Sequence, residues 1–289
     1  MLNRLLQLGF WNVGIIEKNL DDFFSSPDTI KIRWMKHGYR DRFFADPFPL
    51  NEDNHYYYIL AEEYKYIKGK GTIVKLTVDK KTMRLIKRED FLETNYHLSF
   101  PFTLGEYIVP EQSKSGKAYA YNNGKVEEVC KYPLIDPVFY NYRGNSYLFS
   151  TLPSDNISDP NQTLYLFKRN SEGKYDLLYP NPIVNNISCA RCAGKIIEYE
   201  GAIIRVGQDC TRIYGGGLSF EKVTSFEPEY SEEHLFSVSV KNQNKYNIGM
   251  HTFNLTNNGY IIVDGFQYYT RPLLKVAMHL KGLGVKNAK

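Results

Sequence analysis

Five times along this chain a short motif leads into an apolar strand, a turn and a second strand that ends on a polar residue. The motifs are Ala45-Asp46-Pro47-Phe48, His97-Leu98-Ser99-Phe100-Pro101, Ile135-Asp136-Pro137-Val138, Ala190-Arg191-Cys192-Ala193-Gly194 and Met250-His251-Thr252-Phe253. The second strands include Tyr57 to Glu63, Tyr107 to Glu111, Tyr147 to Ser150, Ile203 to Asp209 and Tyr260 to Asp264. From Asp46 to His97, Asp136, Arg191 and His251 the steps are 51, 39, 55 and 60 residues, about the length of a four-stranded propeller blade. The spacing predicts an all-β chain, a five-bladed β-propeller with short N- and C-terminal helical extensions. Inner strands of a propeller surround one axis, so matching polar positions far apart in sequence are expected to converge on one pocket.

The repeat, from about residue 40 to 265, places residues 1–289 in a single domain, because the flanking pieces are too short to fold alone. Near the N-terminus Leu2, Leu5, Leu6 and Leu8 have near-helical spacing, and Trp11-Asn12-Val13-Gly14-Ile15 suits an outer or closing strand. Turn signals such as Asn122-Asn123-Gly124 and Asn257-Asn258-Gly259 bound the later strands. Residues 270–289 predict a basic amphipathic helix: Pro272 suits its first turn, and Leu273, Val276, Ala277, Leu280 and Leu283 recur at helical spacing. That helix either covers a propeller flank or makes a peripheral contact with an anionic membrane surface.

Composition removes several function classes. The formal net charge is only +4, and no Lys/Arg run interleaves with aromatics, which argues against a nucleic-acid partner. No stretch approaches the roughly 18 apolar residues of a membrane span, and residues 1–11 lack the apolar core and small-residue cleavage site of a signal peptide. The expected location is therefore cytoplasmic, or peripheral on the inner face of the membrane. Asn-x-Ser/Thr sites at Asn156, Asn161, Asn186 and Asn254 would need a secretory context. Four cysteines are too few for a disulfide framework, and Cys189-x-x-Cys192 with Cys210 lacks a second matched pair for zinc, so neither a metal nor another cofactor is expected.

Asp46-Pro47 and Asp136-Pro137 stand at matching points of the first and third blades. Proline fixes φ and removes a ladder donor, so each pair can end the pairing and hold a carboxylate at the axis. Two such carboxylates meet the needs of glycosyl chemistry, a base or nucleophile and an electrostatic stabiliser. Arg191 breaks the acidic pattern in blade four, with Arg205, Gln208 and Asp209 on the strand that follows. A guanidinium pairs with phosphate or carboxylate, so Arg191 either binds an anion in the pocket or balances Asp46 or Asp136. His97 and His251 are further axial candidates. Glu62, Glu63 and Glu111 end second strands and can orient sugar hydroxyls or donate a proton. Tyr214-Gly215-Gly216-Gly217 lacks the Lys-Ser/Thr ending of a phosphate loop and predicts a wide turn.

The ordered set Ala-Asp-Pro-Phe, His-Leu-Ser-Phe-Pro, Val-Pro-Glu-Gln-Ser, Ala-Arg-Cys-Ala-Gly, Arg-Val-Gly-Gln-Asp-Cys and His-Thr-Phe-Asn, over about residues 11 to 265, resembles a known family. It is similar to the propeller domain that precedes the glycosyltransferase domain of plant glucosamine inositolphosphorylceramide transferases. A similar domain accompanies formyltransferase-like modules in bacterial polysaccharide gene clusters. More distantly, the Asp-Pro pairs look like those of five-bladed furanoside-processing enzymes such as invertases, levansucrases and arabinanases. That resemblance implies Asp46 as nucleophile or base and Asp136 as transition-state stabiliser. Those enzymes take their general acid from a fourth-blade Glu, where this chain has Arg191, a change that suits a phosphate leaving group.

Together these features predict a glycosyltransferase of surface-polysaccharide assembly, moving a sugar, fructosyl or ribofuranosyl among the candidates, from a phosphate-activated donor to a glycan acceptor. Asp46, Asp136 and Glu111 are its candidate catalytic residues. His97, Arg191, Arg205, Gln208, Asp209, His251, Glu62 and Glu63 are the candidates for substrate binding. The alternatives are a furanosidase-like hydrolase or transglycosidase, with Glu62, Glu63 or Glu111 as acid, and a propeller that only binds glycans.

Overall fold

A computed structural model describes residues 6–153 and 160–282. Its strands form five antiparallel sheets arranged as propeller blades. The chain enters through β1 (Gln7–Ile16), a short helix α1 (Leu20–Ser25) and β2 (Ile32–Trp34). Blade one is β3 (Arg42–Glu52), β4 (Tyr56–Lys65), β5 (Lys70–Asp79) and β6 (Leu85–Leu92). Blade two follows with β7 (Ser99–Leu104), β8 (Tyr107–Glu111), β9 (Ala118–Asn122) and β10 (Lys125–Cys130). In blade three, β11 (Ile135–Tyr142), β12 (Asn145–Thr151), β13 (Thr163–Arg169) and β14 (Tyr175–Leu177) are joined by the two-residue β15 (Val184–Asn185), which pairs with β13. Blade four holds β16 (Ile197–Tyr199), β17 (Ala202–Asp209), β18 (Gly217–Ser225) and β19 (Ser231–Val238). The last blade begins with β20 (Phe253–Leu255) and β21 (Ile261–Thr270), and β1 and β2 complete it.

The ring is closed by β1, which pairs with β21 from Gln7 opposite Thr270 to Ile16 opposite Ile261. Leu8 therefore belongs to a strand, not to the N-terminal helix that the leucine spacing suggested; a few leucines in a short segment cannot distinguish the two, and a full ladder decides. Residues 1–5, with Leu2 and Leu5, lie outside the described residues. The helix near this end is α1, whose first turn is capped by the Asn19 side chain accepting from Asp22 N at 2.8 Å. Its Phe23 is fully buried among Phe220, Phe236 and Phe253 of blades four and five. Phenylalanines also fill the space between blades one, two and three, where Phe48, Phe100, Phe102 and Phe139 touch ring to ring.

At the other end α2 (Pro272–Leu280) starts at the proline the sequence marked. It lays Leu274 and Met278 against Leu8, Phe10, Tyr66 and Tyr246. Leu283, Lys286 and Lys289 lie outside the described residues. All four cysteines are buried and none is in a disulfide.

Three inner strands share one local distortion. The ladder slips by one residue at Asp46-Pro47, at Phe100-Pro101 and at Asp136-Pro137, where the residue before proline has φ of 49°, 44° and 47°. A proline gives no N–H to the ladder, and a bulge there turns the preceding side chain out of the alternating pattern. Each positive φ costs about 1–3 kcal/mol, a strain that concentrates at functional sites. The pairing also corrects the repeat alignment: Phe100, not His97, is blade two's counterpart of Asp46 and Asp136.

Candidate active site

A cavity of about 320 Å³ opens at the axis, with Trp11, Phe43, Tyr64, Tyr66, Phe266 and Tyr268 among its apolar walls. Polar atoms reach it from Asp46, Glu62, His97, Ser99, Glu111, Arg191, Tyr214 and His251. The first, second, fourth and fifth blades thus bring carboxylates, imidazoles and a guanidinium to one place from sequence positions more than 200 residues apart.

Asp46 is held at its bulge by two donors: Phe100 N at 3.1 Å to Oδ2 and Thr252 Oγ1 at 3.0 Å to Oδ1. His251 Nε2 stands 3.7 Å from Oδ1, while its Nδ1 lies 2.6 Å from Asp264 Oδ2. Asp264 also accepts from the backbone N–H groups of Asp46, His251 and Thr252 at 3.0, 3.0 and 3.1 Å. One carboxylate within β21 therefore fixes both the Asp46 bulge and the His251 ring. Trp11 of the closing strand stacks flat on that ring, centroids 3.8 Å apart. Burial pushes Asp46 up to about 6, with His251 pulling the other way. For His251, burial favours the neutral ring, but Asp264 and Asp46 outweigh it and raise its pKa.

Glu62 projects from β4 on the same side and is almost fully buried. Burial, reinforced by the Asp46 and Glu111 carboxylates, raises its pKa well above the usual carboxylate range. Its neighbour is His97, whose Nε2 lies 3.5 Å from Glu62 Oε1. The backbone N–H of Gly71 donates to His97 Nδ1 at 2.9 Å, so the neutral ring carries its proton on Nε2 and presents it to Glu62. Burial lowers the His97 pKa to about 4, which keeps that tautomer neutral.

Gly71 is required here because a Cβ would lie 2.4 Å from Glu62 Oε1 and 2.5 Å from the Leu98 carbonyl oxygen. Gly71→Ala is expected to destabilise the protein by about 1–3 kcal/mol and to push Glu62 from its place. A thermal melt together with saccharide titration checks both; unchanged values would mean that β5 yields without disturbing the pocket.

Asp136 lies one layer deeper, behind Arg191. Arg191 Nε donates to its Oδ2 at 2.6 Å, Gln208 Nε2 donates to the same oxygen at 2.9 Å, and Asp136 is 2% exposed. Arg191 continues to Asn161 Oδ1 at 2.9 Å, to Glu111 Oε2 at 3.5 Å, and over the face of Tyr214 at 4.8 Å. Burial drives Asp136 up to about 7; Arg191 opposes this and the nearby Glu111 adds to it. The same burial lifts the Tyr214 phenol well above its ordinary range. Asp136 can thus set the charge and position of Arg191 but does not face the cavity, as a stabiliser in contact with a sugar would.

Four expected binding residues are used elsewhere. Glu63, next to Glu62, points to the opposite face of β4. There Arg42 at 2.9 Å, Lys65 at 3.0 Å and Arg88 hold it, against the effect of burial, below the usual carboxylate range. Arg205 is buried in a two-point pair with Glu232, at 2.9 and 2.6 Å, and donates its remaining nitrogen to the Cys189 carbonyl at 2.8 Å. Gln208 spends its amide on Asp136 and the Cys192 carbonyl. Asp209 accepts from Thr211 N and Oγ1, capping the turn after β17. None of the four lines the cavity.

Trp11, Thr252, Tyr214 and Asp264 were not read as site residues from the sequence. In the sequence Asp264 follows an apolar second-strand run as Glu62 and Glu111 do, which was a usable signal. Tyr214 precedes Gly215, whose φ of +61° lets the loop run beside His251, where a Cβ would sit 2.7 Å from the His251 Cβ. Asp46, His251 and Asp264 also form a group with ligand atoms within 4.8 Å of one another, the donor set a divalent cation would use, although these atoms already engage each other.

Residues 29–261 match the family described as Glucosamine inositolphosphorylceramide transferase 1, N-terminal. The Arabidopsis thaliana protein named Glucosamine inositolphosphorylceramide transferase 1 is 31% identical over 197 residues, covering 60% of this chain and 26% of the plant protein. Its namesake in Oryza sativa subsp. japonica is 25% identical over 223 residues, covering 72% of this chain and 30% of the other. The chain thus spans less than a third of the length of these relatives. Among solved structures, Zg3597, a family 117 glycoside hydrolase of Zobellia galactanivorans, overlaps with a TM-score of 0.48 at 10% identity, covering 91% of this chain and 92% of that one. CoXyl43, a GH43 β-xylosidase/α-arabinofuranosidase from a compost metagenome, also has a TM-score of 0.48, at 9% identity, with 81% and 93% covered.

Proposed function

The chain belongs to the family of the glucosamine inositolphosphorylceramide transferase 1 N-terminal region, and from that premise we propose that its axial cavity binds one glycosyl unit and transfers it to a glycan hydroxyl. The observation that carries this reading is the pairing, in one aromatic-walled cavity, of two buried carboxyl groups in different surroundings, Asp46 beside His251 and Glu62 beside further carboxylates. Burial raises Asp46 to about 6 with His251 opposing the rise, whereas burial raises Glu62 well above the usual carboxylate range with the Asp46 and Glu111 carboxylates adding to it. Such a split supplies a base and an acid from the same functional group.

Asp46 takes the proton of the acceptor hydroxyl as the acceptor oxygen bonds to the anomeric carbon; the bond from that carbon to the donor oxygen breaks, and Glu62 protonates the departing oxygen. In a two-step variant Asp46 itself forms the bond to the sugar first. Tyr64 and the more exposed Tyr268 offer ring surfaces to the apolar faces of a sugar. The cavity lies at the lower end of the roughly 300–1,000 Å³ of small-molecule sites, a size for one sugar rather than a chain.

A phosphate-activated donor, a furanosyl unit and a surface-polysaccharide acceptor are the finer form of this proposal. With Arg205 committed to Glu232, Arg191 is the one guanidinium among the described residues that line the cavity, and its Nη2, 3.5 Å from Glu111 Oε2, is the edge a leaving phosphate would meet.

The test is mass-spectrometric: nucleotide sugars, phosphoribosyl pyrophosphate and oligosaccharide donors are each offered with oligosaccharide acceptors. Glu62→Gln is expected to slow donors with an alkoxide leaving group by about 10² to 10⁴ while sparing those that leave as phosphate. Equal loss on every donor would remove Glu62 from the proton-donor role. Saccharide binding without turnover of any donor would leave a binding module.

A further inference from the structure

Helix α2 is apolar on two sides. Leu274 and Met278 face the propeller, while Leu273, Val276 and Leu280, at positions i, i+3 and i+7, stand 86%, 54% and 81% exposed. Three large apolar side chains on one stripe of a nine-residue helix have no cover among the described residues. The surrounding charge has one sign: residues 270–289 include Arg271, Lys275, Lys281, Lys286 and Lys289, and no Asp or Glu.

Arg271, which begins the helix, also belongs to a surface groove of about 520 Å³. Lys36, Arg40 and Lys245 join it there, beside Trp34 and Tyr39, and no carboxylate lines the groove. None of these four cations is in an ion pair among the described residues, in contrast to Arg42 and Arg88 nearby, which are paired with Glu63 and other acids. Unpaired cations next to an apolar stripe are the pattern by which a helix lies in the headgroup region of a bilayer, with leucines among the acyl chains and bases on the phosphates.

We propose that this face is a docking surface for an anionic lipid bilayer, with Leu273, Val276 and Leu280 inserted and the groove of Lys36, Arg40, Lys245 and Arg271 holding an acidic headgroup. Met278 of the same helix lines the axial cavity together with Gln7, Leu8 and Tyr268. Docking by α2 therefore brings the cavity's rim to the membrane. If the preceding proposal of glycosyl transfer holds, the glycan that reaches the cavity is one carried on a lipid; the docking itself does not depend on it.

Flotation of the full chain with vesicles, which requires no turnover, tests docking alone. Vesicles of phosphatidylcholine are compared with vesicles in which a third of the lipid is phosphatidylglycerol, at low and high salt. The expected result is binding to the anionic vesicles that weakens with salt. Leu273→Glu with Leu280→Glu is expected to lower partitioning roughly tenfold or more, and Arg40→Glu with Lys245→Glu to remove the preference for anionic lipid. All four side chains are at the surface, so melting temperatures should stay near wild type and the variants remain interpretable. No vesicle binding at low salt, or binding that ignores the leucine pair, overturns the proposal. So does a concentration-dependent dimer that Leu273→Glu dissolves, which would assign the stripe to a second copy of the chain.

Discussion

Asp46→Asn is expected to abolish turnover while the ring stays folded. Asparagine keeps the volume and one acceptor oxygen at a bulge set by Pro47, and it removes the charge that takes the acceptor's proton. Loss of a positioned base typically slows a reaction by about 10² to 10⁴. A pH dependence accompanies it. Burial raises Asp46, so the carboxylate gains its proton as the pH falls through about 6, higher than a solvent-exposed Asp would. Wild-type activity should therefore fall on the acid side of about pH 6, and the residual activity of the variant should lack that limb. Turnover by mass spectrometry across pH, alongside a melt, checks both; a variant as active as wild type would move the chemistry to Glu62 or Glu111.

The largest stability effect is expected far from the cavity, at Glu232→Ala. Arg205 is 1% exposed, and among the described residues its ion-pair partner is Glu232. Removing one partner of a buried pair leaves an uncompensated charge and costs about 3–5 kcal/mol. At about 2–4 °C per kcal/mol, the melting temperature should drop by roughly 6–20 °C. Saccharide affinity per folded molecule should not change, because neither residue lines the cavity. A loss of affinity without a loss of stability would return Arg205 to the site.

The two variants mark where reading the sequence succeeded and where it stopped. The repeat is visible because each blade needs the same strand, turn and strand, and the closing strand is visible because Trp11 to Ile15 is a strand-like run that stands ahead of the first blade's motif. Facing is harder. Glu62 and Glu63 are adjacent on one strand, so the twofold period puts them on opposite sides without saying which side is the axis; the cations at Arg42 and Arg88 that claim Glu63 come from β3 and β6. Arg205 and Glu232 meet across an intervening strand, a pairing with no signature in spacing. His97 was aligned with Asp46 by its distance from it, whereas Pro47, Pro101 and Pro137 were the better marks, since proline causes the distortion that places the side chain. His97 reaches the cavity all the same, three residues ahead of the bulge and through its contact with Gly71. Asp136 was expected to line the pocket, but Arg191, which comes from another blade, covers it and takes its place at the cavity.

The three proline bulges have a consequence for how such a ring can acquire new chemistry. Phe100 adopts the same positive φ as Asp46 and Asp136, yet has no charge and no side-chain hydrogen-bonding atom. The bend is therefore imposed by the proline and the slipped ladder, and the residue before the proline is a socket whose occupant is exchangeable. Blade two fills its socket with a packing group, blade one with a carboxylate that faces the cavity, and blade three with a carboxylate that anchors an arginine. A propeller of this kind can gain, lose or relocate a reactive group by a single codon change at each such position, with its strands and its closure left as they are.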